Sequence, residues 1–132
     1  MEGPSALTMI KLDDAVAASH VDESRALSAA ACLFRSLGDP ARLAILRHLM
    51  LGDHRVVDLT AHLGLAQSTV SAHLACLRDC GLVSSRPHGR ASMFSLSHDK
   101  EILRVLAAAE QLLAATGDAV VLCPRYGERT QP

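Results

Sequence analysis

The four cysteines, Cys32, Cys76, Cys80 and Cys123, are the side chains of this sequence best suited to bond-making chemistry. Cys76 and Cys80 stand at i and i+4, so on a helix they share one face, about 5–6 Å apart. Two thiolates at that spacing bridge a soft cation with modest rotamer adjustment, or serve as a redox pair. Two small buried apolar side chains account for the spacing equally well, because cysteine is among the most buried residue types. Cys123 follows the helix break at Thr116-Gly117 and is free to fold back. Three thiolates make a sulfur-only shell that favours Cd(II) or Pb(II) over Mg, Mn or Ni and also accepts Zn(II). Cys32 falls on the apolar side of an early helical run and reads as a small core residue. No nucleophile–base–orienter set stands at motif spacing, which makes an enzyme the least supported class.

A second set of residues suits recognition. Gln67, Ser68, Thr69 and Ser71 open a helical run, and Gln67, Ser68 and Ser71 share one face, while Val70, Leu74 and Leu77 point the other way. Glutamine pairs with adenine, serines serve bases or phosphates, and a helix N-terminus favours phosphate. Arg86, His88 and Arg90 cluster around a Pro-His-Gly tip and suit contact with a nucleic-acid backbone. Exposed polar residues at helix and loop ends look the same in isolation. The order of elements around them separates the two readings.

Residues 1–20 show no sustained period and read as a mobile arm or a short extra helix. From Asp22, Leu27, Ala30, Ala31, Phe34 and Leu37 repeat at threes and fours until Gly38. Asp39-Pro40 is a helix start, with a capping side chain and proline at the first helical position. That helix runs to about Leu51 and buries Leu43, Leu46, Leu49 and Met50. A short helix at about Val56–Leu63 closes at Gly64. After Leu65, Ala66 and Gln67 a longer one begins, capped by Ser68, and ends at Gly81; together they read as a helix-turn-helix. Leu82–Arg86 and Ala91–Leu96 form a hairpin, and Asp99–Ala115 a last helix with Ile102, Leu103, Leu106, Ala109 and Leu113 on one side. This is the order of a winged helix-turn-helix: mainly α, with a β-hairpin wing. The expected organisation is an arm at 1–20, a DNA-binding and dimerisation domain at 21–115, and a tail at 116–132. The apolar, alanine-rich terminal helices suggest a homodimer.

Composition agrees. The 132 residues suffice for one domain, 49% are hydrophobic, and alanine and leucine supply 21 each. The only aromatic residues are Phe34, Phe94 and Tyr126, too few for a base-stacking platform for single strands. Net charge is −1, but residues 35–90 carry seven arginines against four acids, between flanks of −3 and −1. No apolar stretch is long enough to span a bilayer and no signal-peptide pattern opens the chain, so a cytoplasmic protein with reduced thiols is expected.

The segments Asp39-Pro40-x-Arg42-x-x-Ile45-Leu46, Ser68-x-Val70-Ser71-x-His73-Leu74 and Leu77-x-x-x-Gly81-Leu82-Val83 occur in order, and over roughly residues 25–115 the chain resembles the ArsR/SmtB family of metal-responsive repressors. That resemblance implies a homodimer whose metal-free form binds a palindromic operator and releases it on binding metal, with a metal efflux pump as the regulated product. The family's Cys-x-Cys site on the first helix of the helix-turn-helix is unmatched, since Arg55-Val56-Val57-Asp58 stands there. Its carboxylate–histidine site on the last helix is matched only by His98 and Asp99, with Lys100, Gln111 and Ala114 where later ligands belong. The pattern Cys76-x-x-x-Cys80-Gly81-Leu82-Val83 with a cysteine in the tail resembles the family's actinobacterial cadmium and lead sensors. It implies Cys76, Cys80 and Cys123 as ligands, the last from the same chain or from the other protomer. His73 belongs to the family's helix motif and is expected to be structural, and spacing gives His20 and His54 no support as ligands.

The resulting expectation is a repressor that binds duplex operator DNA as an apo dimer and is released by Cd(II) or Pb(II). One alternative keeps the fold and makes the thiols a redox sensor. Another is a winged helix that mediates protein association and reads no DNA.

Overall fold

A computed structural model describes the backbone of residues 6–123 and the side chains of residues 22–123. The chain divides into two units, residues 1–35 and 36–132. Helix α1 (Ala6–Leu37) is continuous, so residues 6–20, expected to be an arm or a separate short helix, are part of one 32-residue helix. Their weak periodicity hid this, because a helix is legible in a sequence mainly through its apolar period. Within the first unit, Leu27 is 64% and Phe34 65% exposed. Cys32, expected as a core thiol, is disulfide-bonded and only half-buried.

The second unit carries α2 (Pro40–Met50), β1 (His54–Arg55), α3 (Val56–Leu63), α4 (Gln67–Asp79), β2 (Val83–His88), β3 (Ala91–Leu96) and α5 (Asp99–Ala115). Asp39 caps α2, its Oδ1 accepting from the amides of Ala41 at 2.8 Å and Arg42 at 3.1 Å. The Arg42 amide in particular holds the Asp39 carboxyl below the usual carboxylate range. Arg42 ties this start to the helix-turn-helix: Nε donates to the Ser36 carbonyl at 2.7 Å and Nη1 to His73 Nδ1 at 3.2 Å. His73 Nε2 lies 3.8 Å from Asp39. Asp39, Arg42 and His73 are thus one structural network.

The core is built from Ile45, Leu46 and Leu49 of α2, Leu59 of α3, Val70, Leu74 and Leu77 of α4, and Ile102 and Leu106 of α5. Leu82, Val83 and Phe94 close it on the sheet side. Leu43 and Met50 are half-buried and Leu103 is exposed, so the apolar stripes of α2 and α5 are narrower than the sequence suggests. Gly64, at φ +66°, ends α3 in the left-handed conformation that glycine adopts without strain.

The sheet is antiparallel with order β1-β3-β2. Strand β1 was not expected. It has two residues, too few for any alternation, and pairs His54 with Phe94 and Arg55 with Met93. The hairpin turn is also tighter than expected. Pairing continues through Pro87 to His88 opposite Ala91, leaving a two-residue turn of Gly89 and Arg90. Gly89, at φ +62°, takes the first turn position, where two-residue hairpins of this hand require glycine.

Candidate DNA interface and thiol site

The N-terminal end of α4 is polar and open. Gln67, Ser68, Thr69 and Ser71 are all exposed, while Val70, Leu74 and Leu77 on the opposite face are buried. The capping residue is Ala66, not Ser68, which lies within the first turn. Alanine offers no side-chain oxygen, and no side-chain cap is made. Leaving a helix start uncapped costs about 1 kcal/mol. It also leaves the first-turn amides and the positive end of the helix dipole facing outward, the arrangement that suits a phosphate.

The wing separates its three candidates, Arg86, His88 and Arg90. His88 and Arg90 are exposed at the tip. Arg86 is held: its Nη1 lies 2.8 Å from Asp53 Oδ2 and donates to Ser95 Oγ at 2.9 Å. The Arg86 guanidinium in turn keeps the Asp53 carboxyl below the usual carboxylate range. Asp53 is 33 residues away from Arg86, and no periodicity links the two.

The C-terminal end of α4 holds the thiol pair. Cys76 and Cys80 are half-buried, and both sulfurs converge on the hydroxyl of Ser36, which is fully buried. Ser36 Oγ lies 3.6 Å from Cys76 Sγ and donates to Cys80 Sγ at 2.9 Å. Sequence reasoning missed Ser36, because nothing marks a serine 40 residues away as a neighbour. Cys76 is a free thiol and Cys80 is disulfide-bonded. Cys80 must therefore be reduced before it can serve as a ligand.

Cys123 is not disulfide-bonded and is held against α5. The amides of Leu122 and Cys123 donate to Glu110 Oε1 at 2.6 and 2.9 Å, and Cys123 Sγ lies 3.8 Å from the Leu103 carbonyl. Among the described residues no group of three His, Cys, Asp or Glu is arranged to hold a metal ion. Cys76 and Cys80 are thus together, and Cys123 has its own partners on α5. His98 opens α5 with a left-handed backbone at φ +59°. His20 and Tyr126 lie outside the described side chains.

Residues 39–85 match the arsR family of bacterial regulatory proteins. The chain is 36% identical over 99 residues to a probable mercury resistance operon repressor of Streptomyces lividans, covering 74% of this chain and 78% of that protein. It is 44% identical over 88 residues to the transcriptional regulator CmtR of Mycobacterium tuberculosis, covering 67% and 74%. The solution structure of that cadmium sensor superposes with a TM-score of 0.52 at 43% identity, covering 63% of this chain and 85% of that one. The homodimeric winged helix-turn-helix domain of Mb0332 from Mycobacterium bovis shares the fold, with a TM-score of 0.62 at 24% identity over 87% and 91% of the two chains. Among the described residues no helix is long and apolar enough to cross a membrane.

Proposed function

Since this chain belongs to the arsR family of bacterial regulatory proteins, we propose that it is a cytoplasmic metal-sensing repressor, released from its operator by Cd(II) or Pb(II). Zn(II) is a weaker candidate for a sulfur-only shell. The observation that carries the proposal is the pair of sulfurs on the recognition helix itself, Cys76 and Cys80, turned to one common neighbour. The cadmium sensor CmtR among the relatives supports the choice of a soft cation.

Gln67, Ser68, Thr69 and Ser71 read the major groove, with His88 and Arg90 on the flanking backbone. Arg86 acts chiefly by bracing the wing against Asp53. The protein works as a homodimer, and the exposed apolar side chains of α1 and α5 support that state. Cys123 is the third ligand. Its docking on the same chain's α5 supports delivery after the tail detaches, to its own α4 or to the partner's. Metal on α4 and DNA on α4 then weaken each other by the same factor. Going from about 99% to 1% operator occupancy takes roughly 5.5 kcal/mol of coupling, within the range of metal–thiolate bonding.

The test is a titration of Cd(II) into the reduced protein bound to its own promoter region. A thiolate-to-metal charge-transfer band and loss of DNA binding are expected together. Unchanged operator affinity at saturating Cd(II) overturns the proposal. Failure of the apo protein to bind that DNA at low salt points instead to a module for protein association.

The oxidised state of Cys80 favours a second reading, in which the signal is redox. Cys80 and a second thiol lose two protons and two electrons to a peroxide, which is reduced to water, and the disulfide form releases DNA. Release by peroxide with no charge-transfer band on adding Cd(II) to reduced protein selects this reading.

A further inference from the structure

The corner where α2, β1 and α3 meet is lined with imidazoles. His48 lies in the last turn of α2, His54 in β1 and His62 in the last turn of α3. The His48 and His62 rings are stacked, with centroids 4.7 Å apart and planes within 15°. His54 stands edge-on to both, 6.1 Å from His48 and 5.5 Å from His62. A face-to-face stack suits uncharged rings and is opposed when both carry a proton. We propose that this cluster is a proton-operated clasp: with the His48–His62 stack uncharged it holds α3 against α2, and protonation of the stack frees α3 and weakens operator binding. Only the last step rests on the operator-binding function proposed above.

The surroundings decide where charge is tolerated. His54 Nδ1 lies 2.7 Å from the Gly52 carbonyl, so that nitrogen keeps its proton in either charge state and Nε2 is the atom that titrates. Two carboxylates face this ring. Arg86 chiefly, and His54 with it, hold the Asp53 carboxyl below the ordinary value, and Arg55 chiefly, and His54 with it, do the same for Asp58. From β3 the residue opposite His54 is Phe94, which carries no charge. His48 has the opposite surroundings. It is half-buried, and burial first, then His62, His54 and Arg47, keep its imidazole below the ordinary histidine value. A proton on His54 is thus matched by Asp53 and Asp58, whereas one on the stack meets only cations and a second ring.

What the clasp holds matters for the reading helix. α3 packs on α2, on β1 and on α4, and only Leu65 and Ala66 separate its closing Gly64 from Gln67. Displacing α3 shifts the turn from which α4 starts and loosens β1, which joins this corner to the wing at Phe94. The closed form resists protons that the open form accepts. Closure is therefore complete above about pH 7 and is lost towards pH 5, by up to about 10-fold per pH unit for each extra proton the open form binds. General electrostatics run the other way, since acid adds positive charge to the protein and strengthens its attraction to DNA. A loss of operator affinity in acid thus marks the clasp by its sign.

The test uses the reduced, metal-free full-length protein at constant ionic strength, between about pH 7.5 and 5.5. Hydrogen-exchange protection of the α3 amides is expected to fall by more than about 10-fold over that range, while that of α5 changes by less than about 2-fold. Operator affinity, followed by fluorescence anisotropy, is expected to fall by more than about 10-fold with it. His62→Gln, at an exposed position, removes the stack and should hold both quantities within about 3-fold, with helix content unchanged by circular dichroism. Constant α3 protection in the wild type overturns the proposal. So does an equal fall in α3 and α5, which is general acid unfolding, and so does a His62→Gln protein as acid-sensitive as the wild type. Operator affinity that holds while α3 opens overturns the coupling to DNA. A protein whose α3 opens in acid but which binds its promoter DNA at no pH upholds the clasp and overturns the operator-binding function.

Discussion

The two ends of α4 are built to opposite specifications. Its first turn is exposed, polar and uncapped, with Gln67, Ser68, Thr69 and Ser71 facing outward. At its other end Cys76 and Cys80 are half-buried and turned to a buried hydroxyl. In the proposed function one end meets a large polyanion that must approach closely and leave again, and the other something small that binds by the strength of individual bonds. Between them run Val70, Leu74 and Leu77, all buried, which anchor the helix in the core along its length. In the proposed function, a sensor and a reader on one helix need no long path between them, only a shift of that helix.

The largest effect is expected from removing what the two ends share. Leu74→Ala leaves a cavity under the middle of α4 and should cost about 3 kcal/mol of stability by urea unfolding, weakening both activities together. Cys76→Ser should divide the ends: Cd(II) affinity falls by more than about 100-fold by charge-transfer titration, while operator affinity stays within about 2-fold. Gln67→Ala should do the reverse, lowering operator affinity about 10-fold by fluorescence anisotropy and leaving metal affinity unchanged.

The wing sharpens the contrast on a smaller scale. Arg90→Ala is expected to reduce the salt slope of operator binding by about one. Arg86→Ala should leave that slope almost unchanged and cost less than about 1 kcal/mol of stability, because its partners are Asp53 and Ser95. The smallest effect concerns acid. His48 is held below the ordinary histidine value, so as pH falls the unfolded chain takes up a proton before the folded one does. Stability is full above that range and declines as pH drops from about 7 towards 5, a decline that His48→Gln should flatten in urea midpoints.

What the sequence could disclose was local. Asp39-Pro40, the glycine stops and the apolar spacing of Val70, Leu74 and Leu77 placed α2, α3, α4 and α5 within a residue or two, because caps and stripes act over a few positions. Polar Gln67–Ser71 and paired Cys76 and Cys80 were legible for the same reason. What escaped is whatever depends on chain closure. Ser36 beneath the thiols, Asp53 on Arg86, and the meeting of His48, His54 and His62 join residues from different elements with no spacing rule between them. The two-residue β1 escaped because it exists only through its pairing with β3.

Glu110 has a consequence for selectivity. One carboxylate oxygen receives both the Leu122 and Cys123 amides, and hydrogen bonds to a charged acceptor are worth about 1.5–3 kcal/mol each. In the proposed site this is a detent on the third ligand. An ion that gains little from a third sulfur leaves the latch shut and the tail where it is. One that gains more than the detent draws Cys123 away, so Glu110 grades incoming ions by bond strength before the reading helix responds. Weakening that one carboxylate, as in Glu110→Gln, should widen the range of metals that trigger release.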